Sequence, residues 1–183
     1  MPAPAGENLV AALMYSYSWE GPSGCWYIND DPTTIDLASP INEHFRPLWK
    51  ADKERAKKEA PRRQTKYIGN IFVIDDPKNP EANGKVWLFK YGTKIFDKLK
   101  DKQSPKFPGV KAINPFCPWE GANFNLRFHL KDGFRNYDPS EFDPPSPLGE
   151  EKFIEKVWNE EYSLVEFRSP DYFKSYDELS KDL

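Results

Sequence analysis

Residues 8–19 (NLVAALMYSYSW) begin as an apolar run and end in alternating aromatic and serine positions, which predicts a strand passing from buried to half-exposed. Glu20, Gly21, Pro22, Ser23 and Gly24 then read as a turn, and residues 25–28 (CWYI) as the returning strand. After an irregular stretch over 29–38, Ser39-Pro40 predicts a helix start, with a hydroxyl at the N-cap and proline at the first helical position. A second helical stretch is expected from Pro47 through Leu48, Trp49 and Ala56 to Glu59, stopped by Ala60-Pro61. The clearest strands are residues 65–75 (TKYIGNIFVID) and 85–91 (KVWLFKY), a hairpin joined by a long proline-rich loop that ends in Asn83-Gly84. Gly92 ends the second of these strands, and residues 93–102 place Ile95, Phe96 and Leu99 on one side of a short helix with lysines on the other. A proline- and lysine-rich loop follows. In residues 122–131 (ANFNLRFHLK), Phe124, Leu126, Phe128 and Leu130 alternate strictly with Asn125, Arg127, His129 and Lys131, which predicts a half-buried strand with one polar, basic face. Residues 138–147 read as loop, 149–160 as helix, and 171–181 as a short amphipathic helix capped by Asp171.

Strands of modest length, joined by long loops and helices rather than by regular βαβ units, predict a small barrel with insertions, for which the OB-fold is the commonest host. The expectation is one domain over residues 1–183, mainly β with helices, OB-fold-like, with C-terminal helices. No run approaches the roughly 18 apolar residues of a membrane span, and Met1-Pro2-Ala3-Pro4-Ala5 does not resemble a signal peptide. A soluble, intracellular protein without a membrane partner is therefore expected. Cys25 and Cys117 are expected to be free and mostly buried.

The net charge is −3, so total charge gives no support to a polyanionic ligand. Its distribution does. Arg46, Lys50, Lys53, Arg55, Lys57, Lys58, Arg62, Arg63 and Lys66 face only Asp52, Glu54 and Glu59 in the same stretch, while acids collect after Asp138. Aromatic residues make up 15% of a chain whose mean hydropathy is −0.79, and many rings sit beside Lys or Arg. That pairing suits a surface that stacks bases beside a phosphate track.

Within this pattern Arg62, Arg63, Thr65, Lys66 and Tyr67 put cations, a hydroxyl and a ring at the entrance of a strand. They read either as a phosphate grip or as a solvated charge run. Trp87, Phe89 and Tyr91 lie on one face of the next strand, with Lys90 and Lys94 close by, and read as core or as a stacking platform. Phe134 and Tyr137 flank Arg135 in a turn, where the rings either reach a base or fold back onto the core. Trp119 and Phe124 are expected to pack a turn. His44 and His129 are the only histidines and sit in no nucleophile motif, and there is no glycine-rich phosphate loop, HExxH or CxxC. Catalysis is not expected.

Taken in order, residues 62–70 (RRQTKYIGN), 71–84 (IFVIDDPKNPEANG), 85–98 (KVWLFKYGTKIFDK), 117–124 (CPWEGANF), 133–138 (GFRNYD) and 173–179 (FKSYDEL) resemble the core of the single-stranded DNA-binding proteins of T-even bacteriophages. The resemblance covers most of the chain from Leu9 onward. It implies an OB-fold with an inserted subdomain and nonspecific binding of single-stranded DNA in a basic, aromatic-lined cleft, during DNA replication, recombination and repair. By position it implies Arg62, Arg63, Thr65, Lys66, Tyr67, Phe89, Phe134 and Tyr137 as DNA-binding residues, and Lys90, Lys94 and Arg135, the cations beside those rings, are expected to join them. Phage replication and recombination proteins are the implied partners, the cytoplasm of an infected bacterium the implied location, and a monomer the expected state without DNA.

The chain departs from that family in three places. Where the family has Cys-Pro-x-Cys, two zinc ligands, this chain has Ser39-Pro40-Ile41-Asn42, and no Cys or His stands at the other two ligand places. The expectation is a zinc-free protein with no cofactor, in which residues 29–61 form an inserted helical subdomain held by burial of Ile41, Phe45, Leu48 and Trp49. The family's basic N-terminal arm, linked to cooperative binding, and its long acidic C-terminal tail, linked to protein recruitment, have no counterpart within residues 1–183. Two other functions compete: an aromatic-cleft module for another extended polymer, which would not need the Arg62 to Lys66 cluster, and a metal-dependent nuclease, which would need clustered carboxylates.

Overall fold

The computed structural model describes residues 1–21 and 23–183; the turn expected over 20–24 includes Pro22, which lies outside the described residues. Chain contacts gather into two units, one of residues 12–66 and 165–183, the other of residues 1–11 and 67–164. One sheet, in the order β2-β1-β3-β4, contains β1 (Ala12–Glu20), β2 (Trp26–Asp30), β3 (Gln64–Val73) and β4 (Lys85–Gly92). This antiparallel sheet with helices among short strands is consistent with an OB-like fold.

In the first unit β1 pairs antiparallel with β2, from Glu20 opposite Trp26 to Ser16 opposite Asp30. The strand passes from buried to half-exposed as expected: Ala12, Met14 and Ser16 are buried on one face, Tyr17 on the other, and Ser18 and Trp19 are half-buried. Cys25 is exposed at the entrance to β2, contrary to the expectation that both cysteines are mostly buried, and Cys117 in the other unit is half-buried. Helix α1 (Pro40–Ala51) starts where Ser39-Pro40 predicts, but it runs through Pro47, where a new helix was expected. The break comes at Asp52 instead. Its carboxylate accepts from the Arg55 amide and caps α2 (Lys53–Glu59), so a strong N-cap residue, and not the proline, sets the boundary. Ala60 is extended before Pro61, as the residue preceding a proline prefers. The terminal helix α5 (Tyr176–Lys181) is likewise capped four residues later than expected: Ser175 and Glu178 form a reciprocal capping box, while Asp171 lies in a short 3-10 turn. Tyr17, Ile41 and Leu179 form the core of this unit, with Trp19 and Phe45 packed against them; of the expected apolar stripe Ile41 is buried and Phe45 and Leu48 half-buried, but Trp49, at the far end of α1 from that core, is exposed.

In the second unit helix α3 (Thr93–Gln103) follows β4, and α4 (Glu151–Asn159) lies within the helical stretch predicted over 149–160. Ile68, Val86, Tyr91, Ile95, Ile154, Val157 and Leu164 are buried. Gly69 is where the backbone of Val10 comes close: a Cβ on Gly69 would lie 3.1 Å from the Val10 carbonyl oxygen. The strand predicted over 122–131 is not continuous. Only β5 (Phe124–Asn125) and β6 (His129–Lys131) are extended partners, and Leu126, Phe128 and Leu130 are exposed rather than buried. The reason lies in the partners. β5 pairs with β8 (Glu141–Phe142), whereas β6 pairs with β7 (Phe134–Asn136), so the strand changes neighbour and its apolar face has no layer to cover it after Asn125. The β6–β7 connection is Asp132-Gly133, both with positive φ (52° and 79°), the two-residue turn that matches the twist of a hairpin. No helix among the described residues is long and apolar enough to cross a membrane.

Candidate nucleic-acid interface

β3 and β4 carry a row of rings in the second unit. Tyr67 lies parallel to Phe96 of α3, with centroids 3.9 Å apart and an interplanar angle of 3°. On β4, Tyr91 stacks on Tyr67 at 5.8 Å and on Phe89 at 5.6 Å. Tyr91 is buried, and burial, reinforced by nearby Tyr67, pushes its hydroxyl up to about 12, so it stays protonated in the physiological range. Phe89 and Tyr67 are half-buried, and Trp87 is 43% exposed with its indole N–H donating to the Ala82 carbonyl at 3.2 Å. The β4 face that read as core or platform is graded, from exposed Trp87 through half-buried Phe89 to buried Tyr91.

Lys90 is exposed on β4. Lys94, at the start of α3, is engaged: its Nζ lies 3.2 Å from Asp138 Oδ1, while Lys98 donates to the Asp138 backbone carbonyl at 3.0 Å. The Asn136 side chain and then Lys94 hold the Asp138 carboxyl below the usual carboxylate range. These contacts tie the loop after β7 to α3.

The β6–β7 hairpin has two faces set by its register, with Leu130 opposite Arg135, and with His129 opposite Asn136 and Lys131 opposite Phe134 on the other side. Phe134 is 79% exposed. Arg135 places its guanidinium carbon 5.1 Å from the Phe128 ring centroid, and Phe128 meets Tyr137 at 6.0 Å with a 55° tilt. Phe134 and Tyr137, grouped by sequence as the rings flanking an arginine, thus point to opposite faces. The ring that Arg135 and Tyr137 share is Phe128, which the period-two pattern had assigned to a buried face. Trp119, expected to pack a turn, is 48% exposed, whereas Phe124 packs on Phe142 with centroids 4.8 Å apart.

In the first unit Arg62 and Arg63 are exposed, and Thr65 and Lys66 half-buried, over the chain leaving α2 and entering β3. Arg63 sits over the Tyr15 ring at 4.2 Å. Two cations of the preceding basic run are already paired within α2, Arg55 with Glu59 and Lys57 with Glu54. The residues 62–66 follow that helix and lie outside these pairs.

The segment around Ser39-Pro40-Ile41-Asn42 carries its own hydrogen-bond chemistry. Asn42 accepts from the Tyr17 hydroxyl at 2.6 Å and donates to Asp31 at 3.1 Å. Asp31 is fully buried and also accepts from the Thr33 amide and hydroxyl. Burial, with the Asp31 charge adding to it, pushes the Tyr17 hydroxyl up to about 12. Ser39 Oγ is buried with no hydrogen-bond partner. The buried Ser39 hydroxyl and an Asn42 amide bonded through both its oxygen and its nitrogen are not the thiolate and imidazole set that a structural zinc requires.

The chain is 32% identical over 186 residues to a "Single-stranded DNA-binding protein" of Enterobacteria phage T2, covering 98% of this chain and 61% of that protein. It is 31% identical over 186 residues to the protein of that name from Enterobacteria phage T4, covering 98% of this chain and 62% of the relative. The chain thus spans about three fifths of the length of these relatives. The family model described as "gp32 DNA binding protein like" matches residues 1–183, and that family comprises DNA-binding proteins rather than enzymes. The chain belongs to the gp32-like DNA-binding protein family.

Proposed function

We propose that this protein binds single-stranded DNA with little sequence preference, stacking bases on exposed rings and holding phosphates with Arg and Lys. The observation that carries the reading is the β6–β7 hairpin, where Phe134 is 79% exposed and Arg135 and Lys131 stand on the same short element. An exposed phenyl ring on a basic hairpin is costly in water and favourable against a base. Within that reading Phe134, Arg135 and Tyr137 serve from the hairpin, Phe89, Lys90 and Lys94 from β4 and α3, and Tyr67 of β3, stacked on Phe96 and Tyr91, supports the ring row. Arg62, Arg63, Thr65 and Lys66 contribute phosphate contacts from their own unit. Stacking accepts every base and phosphates are common to all nucleotides, so both terms are blind to sequence.

The names of the relatives support this ligand and a phage setting. The protein acts in phage DNA replication, recombination and repair in the cytoplasm of the infected bacterium, meets the replication and recombination proteins there, and is monomeric without DNA. It works without zinc, its residues 29–61 forming an inserted helical segment held by packing and by the Asp31–Asn42–Tyr17 hydrogen bonds.

The test is titration with oligo(dT) and with a hairpin duplex at two salt concentrations, read by quenching of Trp and Tyr fluorescence, followed by a gel of the recovered DNA. Tighter binding of oligo(dT), weakening with salt, with the DNA intact, is expected. Equal affinity for the duplex would overturn single-strand selectivity, and cleaved DNA would favour a nuclease.

A further inference from the structure

Resting on the single-strand reading above, we propose that Phe128 is a further base-stacking residue, and that with Arg135 it forms a ring–cation pair that takes one nucleotide, base on the ring and phosphate on the guanidinium. Four observations place it there. Phe128 is 46% exposed although its sequence pattern is that of a covered strand face. The Arg135 guanidinium carbon lies over its ring, 5.1 Å from the centroid, so a cation and an aromatic ring are held together as one unit. Tyr137 meets it at a 55° tilt, not in a parallel stack that would cover a ring face. The backbone just before it is fixed, since the buried Ser140 hydroxyl accepts from the Arg127 amide at 2.9 Å and donates to the Arg127 carbonyl at 2.7 Å. The ring is therefore held in position while still open to solvent. A peptide or a sugar would use the ring alone, whereas a nucleotide carries a flat base and an anion within reach of each other, which matches the pair.

Leu130 extends the same hairpin face and is 68% exposed, but it has no π-face, so it separates stacking from simple apolar contact. The experiment compares Phe128→Ala, Phe128→Leu and Phe128→Trp in the full chain, by polarisation of labelled oligo(dT) across a salt series, with melting temperatures alongside. Phe128→Leu keeps apolar bulk and guards against loss of folding. The alanine and leucine variants are expected to bind about 5- to 150-fold more weakly with the slope of log K against log salt unchanged, and Phe128→Trp to bind as well as the unaltered protein. Arg135→Ala should instead flatten that slope by about 0.7. Unchanged affinity in Phe128→Ala, or a leucine variant that binds like the unaltered protein, would overturn the proposal while leaving single-strand binding intact. Failure of the unaltered protein to bind oligo(dT) would instead remove the single-strand reading, and this inference with it.

Discussion

The guanidinium carbon of Arg63 lies 4.2 Å from the centroid of the Tyr15 ring. Arg63 is exposed, so the ring restrains a cation that would otherwise sample many rotamers, and a restrained guanidinium loses less entropy on meeting a phosphate. Replacing Arg62, Arg63 and Lys66 together by Ala should flatten the dependence of log K on log salt by up to about 2, from roughly 0.7 per lost phosphate contact on single strands. Salt titrations with oligo(dT) measure it, and an unchanged slope would place the phosphate contacts elsewhere.

Tyr137 is half-buried and its nearest ring is the exposed Phe128. Its replacement by Ala should cost about 1–3 kcal/mol of DNA binding and little folding stability. A melting temperature that drops sharply would assign the ring to the core instead.

Asn42 links two buried groups, the Tyr17 hydroxyl and the Asp31 carboxylate. Asn42→Ala leaves both short of a partner, and a loss of about 1–3 kcal/mol in denaturant unfolding is expected, with the melting temperature falling in step. Elemental analysis of the purified protein should find no stoichiometric zinc, and EDTA should leave melting temperature and DNA affinity unchanged. One zinc per chain would show that other residues supply a ligand set.

Burial pushes the Glu161 carboxyl up to about 7, opposed by the Met1 amine and reinforced by Glu7, and both carboxylate oxygens are buried without hydrogen-bond partners. A carboxyl whose folded pKa exceeds its unfolded value binds more protons in the folded state, so its contribution to stability falls as pH rises from about 4.5 to about 7. The Met1 amine, lowered by burial, acts in the opposite sense below 8.0. Comparison with Glu161→Gln isolates the carboxyl: the glutamine variant should gain melting temperature over the unaltered protein as pH rises through that window. A difference that does not change with pH would reject this assignment.

Much of this fold was legible in the chain, and the misses share a cause. β1, β3, β4 and the start of α1 follow from alternation, β-branched and aromatic content, and a Ser-Pro start, all of which are local. The errors at Pro47 and Asp171 arose where two local signals competed and the stronger cap, Asp52 or the Ser175–Glu178 pair, prevailed. Residues 122–131 misled for a different reason. Period-two alternation states that two faces differ but not that a layer exists to cover the apolar one, and strand partners such as β8 for β5 are chosen across the fold. The exposed aromatic and basic residues of the candidate site stand out in the sequence, but how the fold groups them does not. The Asp132-Gly133 turn fixes the hairpin register, and that register places Phe134 and Tyr137 on opposite faces.

The ring row Phe96–Tyr67–Tyr91–Phe89 has a consequence for time scale. Tyr67 stacks on two rings, parallel to Phe96 at 3.9 Å and on Tyr91 at 5.8 Å. A half-turn of its ring requires both neighbours to breathe apart together, so its flip rate should be slow among the tyrosines of this protein. In aromatic NMR spectra the two edges of Tyr67 would then give separate, exchange-broadened resonances, where a solvent-facing ring such as Tyr176 gives one averaged set. A ring already immobile in the free protein surrenders little freedom when a polymer settles beside it.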